Sequence, residues 1–193
     1  LSDLEIPFAD RVILPTLTGL AGLVSAVLPT RVLEGVRRKL VMAGNTTTLN
    51  AFLVQWAVLT LIPPALFLFL LLLSNPTFGL SQFFLLVILA LTGAALPYLW
   101  LTLRIQRRQK VIWKSLPDAF DLITTSVEAG LGLDAALSRV AEKVPGPFAS
   151  ELHITLREVA LGKPRREALR DLSNRTGVDD LSAFVNAVIQ AEQ

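Results

Sequence analysis

The chain has 193 residues, of which 52% are hydrophobic and only 18% are charged, and it contains no cysteine. This composition is unusual for a single soluble domain and typical of a membrane protein with a soluble part. The lack of cysteine in this sequence excludes a disulfide framework, a thiolate nucleophile and a cysteine-ligated metal site.

The formal net charge of +2 conceals a strong separation of charge along the chain. Residues 51–103 contain no Asp, Glu, Lys or Arg. Residues 104–115 contain five basic residues and no acidic one, whereas residues 116–193 contain eight basic and twelve acidic residues. The five basic residues, which we call the basic collar, are Arg104, Arg107, Arg108, Lys110 and Lys114. A basic block directly beside an apolar one indicates a membrane border, not a nucleic-acid surface.

The first 50 residues are predicted to form juxtamembrane amphipathic helices. Residues 12–28 are moderately apolar, and they lack the basic start and cleavage pattern of a signal peptide. We interpret them as a helix at the membrane surface or packed on the protein, with a true membrane span as the alternative. A second short helix carries Arg31, Arg37, Arg38 and Lys39 and is expected to end at residues 43–45.

The uncharged block is predicted to form a transmembrane hairpin. Residues 51–73 are long enough to cross a hydrocarbon layer of about 30 Å, and residues 80–103 form the return span after a short turn. Pro63, Pro64 and Pro97 should kink these helices, because proline has no N–H to donate to the preceding turn. Basic residues flank both open ends of the hairpin but not its turn, so both ends are predicted to lie in the cytoplasm.

Residues 116–193 are predicted to form a cytoplasmic antiparallel helical bundle, so the fold class is all-α. No stretch alternates with the period of two that a strand needs. Four or five short helices are expected after Ser115, with boundaries at Pro145-Gly146-Pro147, Gly162, Pro164 and Gly177. The bundle is expected to continue beyond Gln193.

The first helix of the bundle is predicted to begin directly after the basic collar. Ser115 and Asp118 have the spacing of a capping box, and Pro117 fits a first helical turn, where its missing N–H has no cost. Gly130 and Gly132 are expected to end this helix by adopting the left-handed conformation.

No set of residues in the chain has the pattern of a catalytic, cofactor-binding or metal-binding site. His153 is the single histidine, and we interpret it as an ordinary surface residue. The sequence has no glycine-rich loop followed by Lys and Ser or Thr, so another protein must handle any ATP. We therefore predict that the chain is not an enzyme and uses no cofactor.

From SLPDAFDLITTSVEAGLGLDAALSRV at residues 115–140 to the end, the chain resembles the cytoplasmic helical domain of the type II secretion F family, in the TadC-like branch of Tad (Flp) pilus assembly proteins. The segments PFADRV at 7–12, LVMAG at 40–44 and RRQKVIWKSLPD at 107–118 are similar to the same family. The resemblance implies a non-enzymatic platform protein of the bacterial inner membrane. Such proteins are thought to couple a hexameric cytoplasmic secretion ATPase to the extraction of pilin subunits, together with a sister TadB-like platform protein in an oligomeric assembly.

Seven residues are candidates for partner contacts on the bundle surface: Asp118, Glu128, Gly130, Gly132, Arg165, Arg166 and Arg170. The arginines lie on one predicted helix and suit an ATPase contact, although the acidic residues between them also fit a solvated face. Glu128 is either a partner contact or a solvated acid at a helix end. We interpret the basic collar as a topology determinant that contacts anionic lipid head groups, with docking of an acidic partner as the alternative.

A membrane channel or transporter subunit is the alternative function. The predicted hairpin and its prolines motivate it. The absence of ionisable residues from 51–103 argues against it, because ion-coupled transport needs such groups within the membrane.

Overall fold

The computed structural model describes residues 30–44, 48–74 and 79–191. The predicted helix at residues 12–28 and most of the turn between the apolar segments lie outside these ranges. Within them every element is an α-helix and no strand occurs, which confirms the all-α class. The helices of this described part are α1 (Thr30–Met42), α2 (Leu49–Leu73), α3 (Leu80–Glu128), α4 (Leu133–Lys143), α5 (Pro147–Ala160), α6 (Arg165–Thr176) and α7 (Asp179–Ala191).

The chain divides into two compact units. The first, which we call the apolar unit, comprises Leu1–Leu40 and Asn45–Thr102. The second, which we call the amphipathic unit, comprises Val41–Gly44 and Leu103–Gln193. α3 contributes its first part to the apolar unit and its second part to the amphipathic unit.

In the apolar unit, α2 and α3 are each long and apolar enough to cross a membrane, judged by length and composition. The Thr48 side chain caps α2 by accepting from the Ala51 N–H. α2 continues through Pro63 and Pro64, where a kink remains a prediction. Many large apolar side chains are exposed on these helices, among them Leu66, Phe69, Leu72, Phe84, Ile88 and Leu91. Exposed apolar surface of this extent requires an apolar surrounding.

Two contacts join α2 and α3 within the apolar unit. The Trp56 indole Nε1–H donates to the Ala94 carbonyl at 3.0 Å. At Gly93 a Cβ atom would lie 2.4 Å from the Leu59 carbonyl oxygen, so only glycine fits. This carbonyl has no N–H donor four residues ahead, because that residue is Pro63. At Gly93 the two helices are therefore in close contact at a backbone oxygen that proline has freed.

The core of the amphipathic unit contains side chains from α3 through α7. On α3 the buried residues Ile112, Leu116, Ala119 and Ile123 lie on one face. α4 packs against α5, α5 against α6, and α6 against α7. Their core residues include Leu137, Val140, Phe148, Leu152, Leu169, Leu172, Leu181 and Val185.

The predicted capping box at Ser115 is wrong. α3 continues through Ser115 and Pro117, and the Ser115 hydroxyl donates back to the Ile112 carbonyl at 2.7 Å. The core-facing side of this helix already includes Ile112, ahead of the residue at which we expected the helix to begin. A proline inside a helix costs about 3 kcal/mol, whereas burial stabilises by roughly 1.5–3 kcal/mol for each large apolar side chain. The buried Ile112, Leu116 and Ile123 therefore keep the helix continuous.

The predicted end of this helix is confirmed at Gly130 but not at Gly132. α3 ends at Glu128, and Gly130 adopts a left-handed conformation with φ +89°. The Gly130 and Leu131 N–H groups donate to the carbonyls of Val127 and Ser126, the pattern of a Schellman motif. Gly132 instead precedes α4 with an extended backbone, at φ −66°. The later boundaries, at residues 145–147, 162, 164 and 177, agree with the observed helix ends.

We expect Gly93→Val to separate α2 from α3, because its Cβ would overlap the Leu59 carbonyl. Overpacking of this kind destabilises by about 1–3 kcal/mol. The measurement is the thermal unfolding midpoint of the full chain in detergent. Ala95→Val, on the exposed side of α3, is the matched control and should leave the midpoint near that of the unmodified chain. Equal midpoints for the two variants would contradict the contact.

Candidate functional site

A buried carboxylate lies at the centre of the polar contacts in the amphipathic unit. Glu151 stands on the core-facing side of α5 between Phe148 and Leu152, and its side chain is only 6% exposed. Arg108 of α3 donates to its Oε1 atom at 2.8 Å, and Arg175 of α6 donates to its Oε2 atom at 2.8 Å. A buried charge without partners costs several kcal/mol. The two arginines provide the compensation that this position requires.

Residues 108 and 109 of α3 also bind the ends of two other helices. Arg108 Nη1 donates to the Met42 carbonyl at 3.1 Å, at the last residue of α1. Gln109 Nε2 donates to the Thr176 and Gly177 carbonyls at 3.1 and 2.8 Å, at the end of α6. Carbonyl groups at a helix C-terminus lack intrahelical donors and carry partial negative charge. We call Arg108, Gln109, Glu151 and Arg175 the α3 junction.

The α3 junction continues through further charged groups of α5 and α6. Arg175 donates to Glu158 Oε1 at 3.2 Å and to the Thr155 hydroxyl at 2.9 Å. Lys163, in the loop between these helices, donates to Glu158 at 2.8 Å and to Asp171 at 2.5 Å. These hydrogen bonds, first from Asp171 and then from Glu158, raise the pKa of Lys163 above its ordinary value. The network thus ties the loop to both helices.

Gly177 directly follows α6 and lies close to Gln109 of the α3 junction. It adopts the left-handed conformation with φ +61°. A Cβ atom there would lie 2.9 Å from Gln109 Nε2 and 3.2 Å from the Met42 sulfur. The left-handed backbone conformation therefore favours glycine at this position, and a larger residue would also displace the ends of the Gln109 and Met42 side chains.

Six of the seven predicted partner-contact residues are exposed, and one is partly buried. The residues Asp118, Glu128, Gly130, Gly132, Arg166 and Arg170 are all exposed. Arg165 is partly buried and forms an ion pair with Asp134 of α4. Among the described residues, Arg166 and Arg170 form no ion pair with Asp118 or Glu128. Arg166 and Arg170 are four residues apart, so both lie on one exposed face of α6.

The basic collar is not a uniform set. Arg107, Lys110 and Lys114 are exposed, and Arg104 is partly buried. The Arg108 side chain is 15% exposed and is bound to Glu151 and the Met42 carbonyl, a role inside the amphipathic unit that the sequence did not indicate. The assignment of the basic collar as a topology determinant that contacts lipid head groups remains a prediction.

His153 is exposed, as expected of a surface histidine. In the described part of the chain, no group of three His, Asp or Glu residues could hold a metal ion. The sequence interpretation missed the α3 junction. One signal for it was present, because Glu151 shares the apolar face of α5 with Phe148 and Leu152, where a carboxylate needs a cationic partner.

Residues 119–193 match the family described as Type II secretion system (T2SS), protein F. Members of that family are non-enzymatic inner-membrane platform proteins of secretion and pilus systems. The matched region contains Glu151 and Arg175 but begins after Arg108 and Gln109. No match was found among curated proteins or solved structures.

Glu151→Ala is expected to destabilise the chain by about 3 kcal/mol or more, because it leaves two arginines partly buried without their carboxylate. The measurement is the chemical or thermal unfolding of the full chain in detergent. Glu142→Ala removes an exposed carboxylate of α4 and should change stability by less than about 0.5 kcal/mol. If both variants unfold alike, the α3 junction does not stabilise the amphipathic unit.

The contribution of Lys163 to stability should depend on pH in one direction. Because its pKa is raised in the folded state, its contribution is complete below the ordinary lysine value and disappears as the pH rises through the raised value. Lys163→Met should therefore lower the unfolding midpoint slightly at about pH 8 and have a smaller effect as the pH rises through the raised pKa. The effect is small since the side chain is partly exposed. A difference that grew at high pH would contradict this assignment.

Proposed function

We propose that this chain is a non-enzymatic inner-membrane platform protein of a Tad/Flp pilus or a related type II secretion-like machine. In this role it couples a hexameric cytoplasmic ATPase to the extraction and assembly of pilin subunits. One observation carries the proposal: α3 contains both an apolar segment long enough to span a membrane and the start of the region that matches the protein F family. A sister platform protein and further copies of this chain would complete the assembly.

The proposed topology has α2 and the first part of α3 as a transmembrane hairpin and residues 104–191 as a cytoplasmic antiparallel bundle. The contacts of Trp56 with Ala94 and of Gly93 with Leu59 support the pairing of the two apolar helices. The basic residues on both sides of the uncharged block support the cytoplasmic placement.

The proposed mechanism is mechanical. The partner ATPase binds and hydrolyses ATP, and this chain receives the resulting movement on its helical bundle. Arg175 of α6 and Arg108 of α3 share the Glu151 carboxylate, so a displacement of α6 is transmitted to α3 by charge-assisted hydrogen bonds. α3 in turn contains the apolar segment that is proposed to move against the pilin.

The exposed face of α6 is the proposed ATPase contact. Arg166 and Arg170 are exposed there and form no described ion pair, so both guanidinium groups are available to carboxylates of a partner. Arg165, which we also considered for this contact, is bound to Asp134 and is better assigned to holding α6 against α4.

The test is co-purification of the ATPase with the detergent-solubilised full chain. We expect Arg166→Glu combined with Arg170→Glu to lower ATPase retention by at least about tenfold, because like charges would then face each other. Arg139→Glu combined with Lys143→Glu makes the same charge change on the exposed side of α4 and should leave retention unchanged.

Two results would count against these assignments in different ways. Equal retention by both double variants would exclude the α6 face while leaving the platform role intact. Normal pilus assembly in cells that lack the whole chain would exclude the platform role itself.

A further inference from the structure

α1 places a lysine directly beside Tyr98 of α3 within the apolar unit. The Lys39 Nζ atom lies 4.0 Å from the centroid of the Tyr98 ring and also donates to the Tyr98 hydroxyl. Val36 and Leu40 of the same helix are buried. α1 therefore turns one side inward, and Lys39 is held against α3 by a cation–π contact.

This contact lies where the uncharged block gives way to charged residues. Tyr98 is five residues before Leu103, the last residue of the block, and Arg104 follows as the first charge. In membrane proteins tyrosine settles where the hydrocarbon layer meets the lipid head groups. If the apolar unit lies in a bilayer, Lys39 is at the level of the lipid phosphates.

Near Lys39, the backbone of α1 at Gly35 is not covered by any other described part of the chain. Gly35 precedes Arg38 and Lys39 by three and four residues, so all three lie on adjoining positions of α1. No described atom lies within 4 Å of the place where a Cβ of Gly35 would be. Glycine weakens a helix interior relative to alanine, and nothing in the described contacts of Gly35 requires it. A bare backbone at this position allows an external group to approach closely.

The hydrogen-bonding groups beside Gly35 are those of an anion site. The Lys39 ammonium has three N–H donors, of which the Tyr98 hydroxyl accepts one. Arg38 is exposed and has no described ion pair. The helix as a whole contains four basic residues and one acidic residue. Its charge therefore complements an anion, and its position favours an anion that is anchored in the membrane.

We propose that Gly35, Arg38 and Lys39 bind the phosphate of an anionic phospholipid whose acyl chains lie along the exposed apolar side chains of the apolar unit. The phosphate accepts hydrogen bonds from Arg38 and Lys39 and rests against the open backbone at Gly35. Tyr98 holds the Lys39 ammonium in place through the cation–π contact and the hydrogen bond to its hydroxyl. This site differs from the basic collar, because it belongs to α1 and to the apolar unit. It requires the apolar unit to lie in a bilayer, but not a platform role.

The test uses the full chain in nanodiscs made of phosphatidylcholine with a minor fraction of phosphatidylglycerol. Native mass spectrometry counts the phosphatidylglycerol molecules that remain bound after release from the disc. We expect Arg38→Gln combined with Lys39→Gln to reduce this retention at least about tenfold. Gly35→Val, which fills the open backbone without changing any charge, should reduce it severalfold.

The matched control is Arg139→Gln combined with Lys143→Gln, which removes the same charge from α4. We expect the control to retain the lipid as the unmodified chain does, and far-UV circular dichroism to be the same for all four proteins. If the control variant lost phosphatidylglycerol to the same extent, retention would depend only on the net charge of the chain, and the proposed site on α1 would be wrong. Displacement of the lipid by excess inorganic phosphate would overturn the choice of a lipid as ligand. The α1 variants should retain the ATPase as the unmodified chain does. The test of lipid binding and the test of the platform role are therefore independent.

Discussion

The amphipathic unit depends on the charge of a single buried carboxylate. Apolar contacts stabilise the helices without a preferred direction, whereas the two oxygens of Glu151 accept hydrogen bonds from donors at fixed positions on α3 and α6. Arg108 also binds the end of α1, and the neighbouring Gln109 binds the end of α6. Two consecutive residues of α3 therefore connect this helix to α5, α6 and the end of α1. Side-chain packing then fills the space that these bonds define.

In the apolar unit, α2 and α3 associate without charged side chains from residues 51–103. Its helices have no charged side chain between residues 51 and 103, so their pairing relies on shape and on backbone groups. Glycine at position 93 allows contact with a carbonyl that Pro63 has freed, and the indole of Trp56 serves the carbonyl of Ala94. A proline in one helix and a glycine in the other thus act together, although each alone weakens a helix.

The sequence predicted what depends on neighbouring residues. The glycines at 130, 162 and 177 located helix ends of the amphipathic unit, because helix ends are decided within one turn. The capping box at Ser115 failed since a local signal competed with a longer apolar face that starts at Ile112. The contact between Arg108 and Glu151 was not foreseen, because the two residues are 43 positions apart, a separation at which no spacing rule applies. Gly132 was misread because two glycines near one helix end serve different helices.

The continuity of α3 bears on where this protein can be cut. The region that matches the protein F family starts at residue 119, in the middle of a helix. A fragment beginning there would lack Ile112 and Leu116 from its core and would leave Glu151 with one arginine in place of two. The boundary of the recognisable domain and the boundary of the cooperative folding unit are therefore different. A soluble fragment for crystallisation needs to start ahead of Arg108, inside what the hydropathy profile would assign to the border of the membrane.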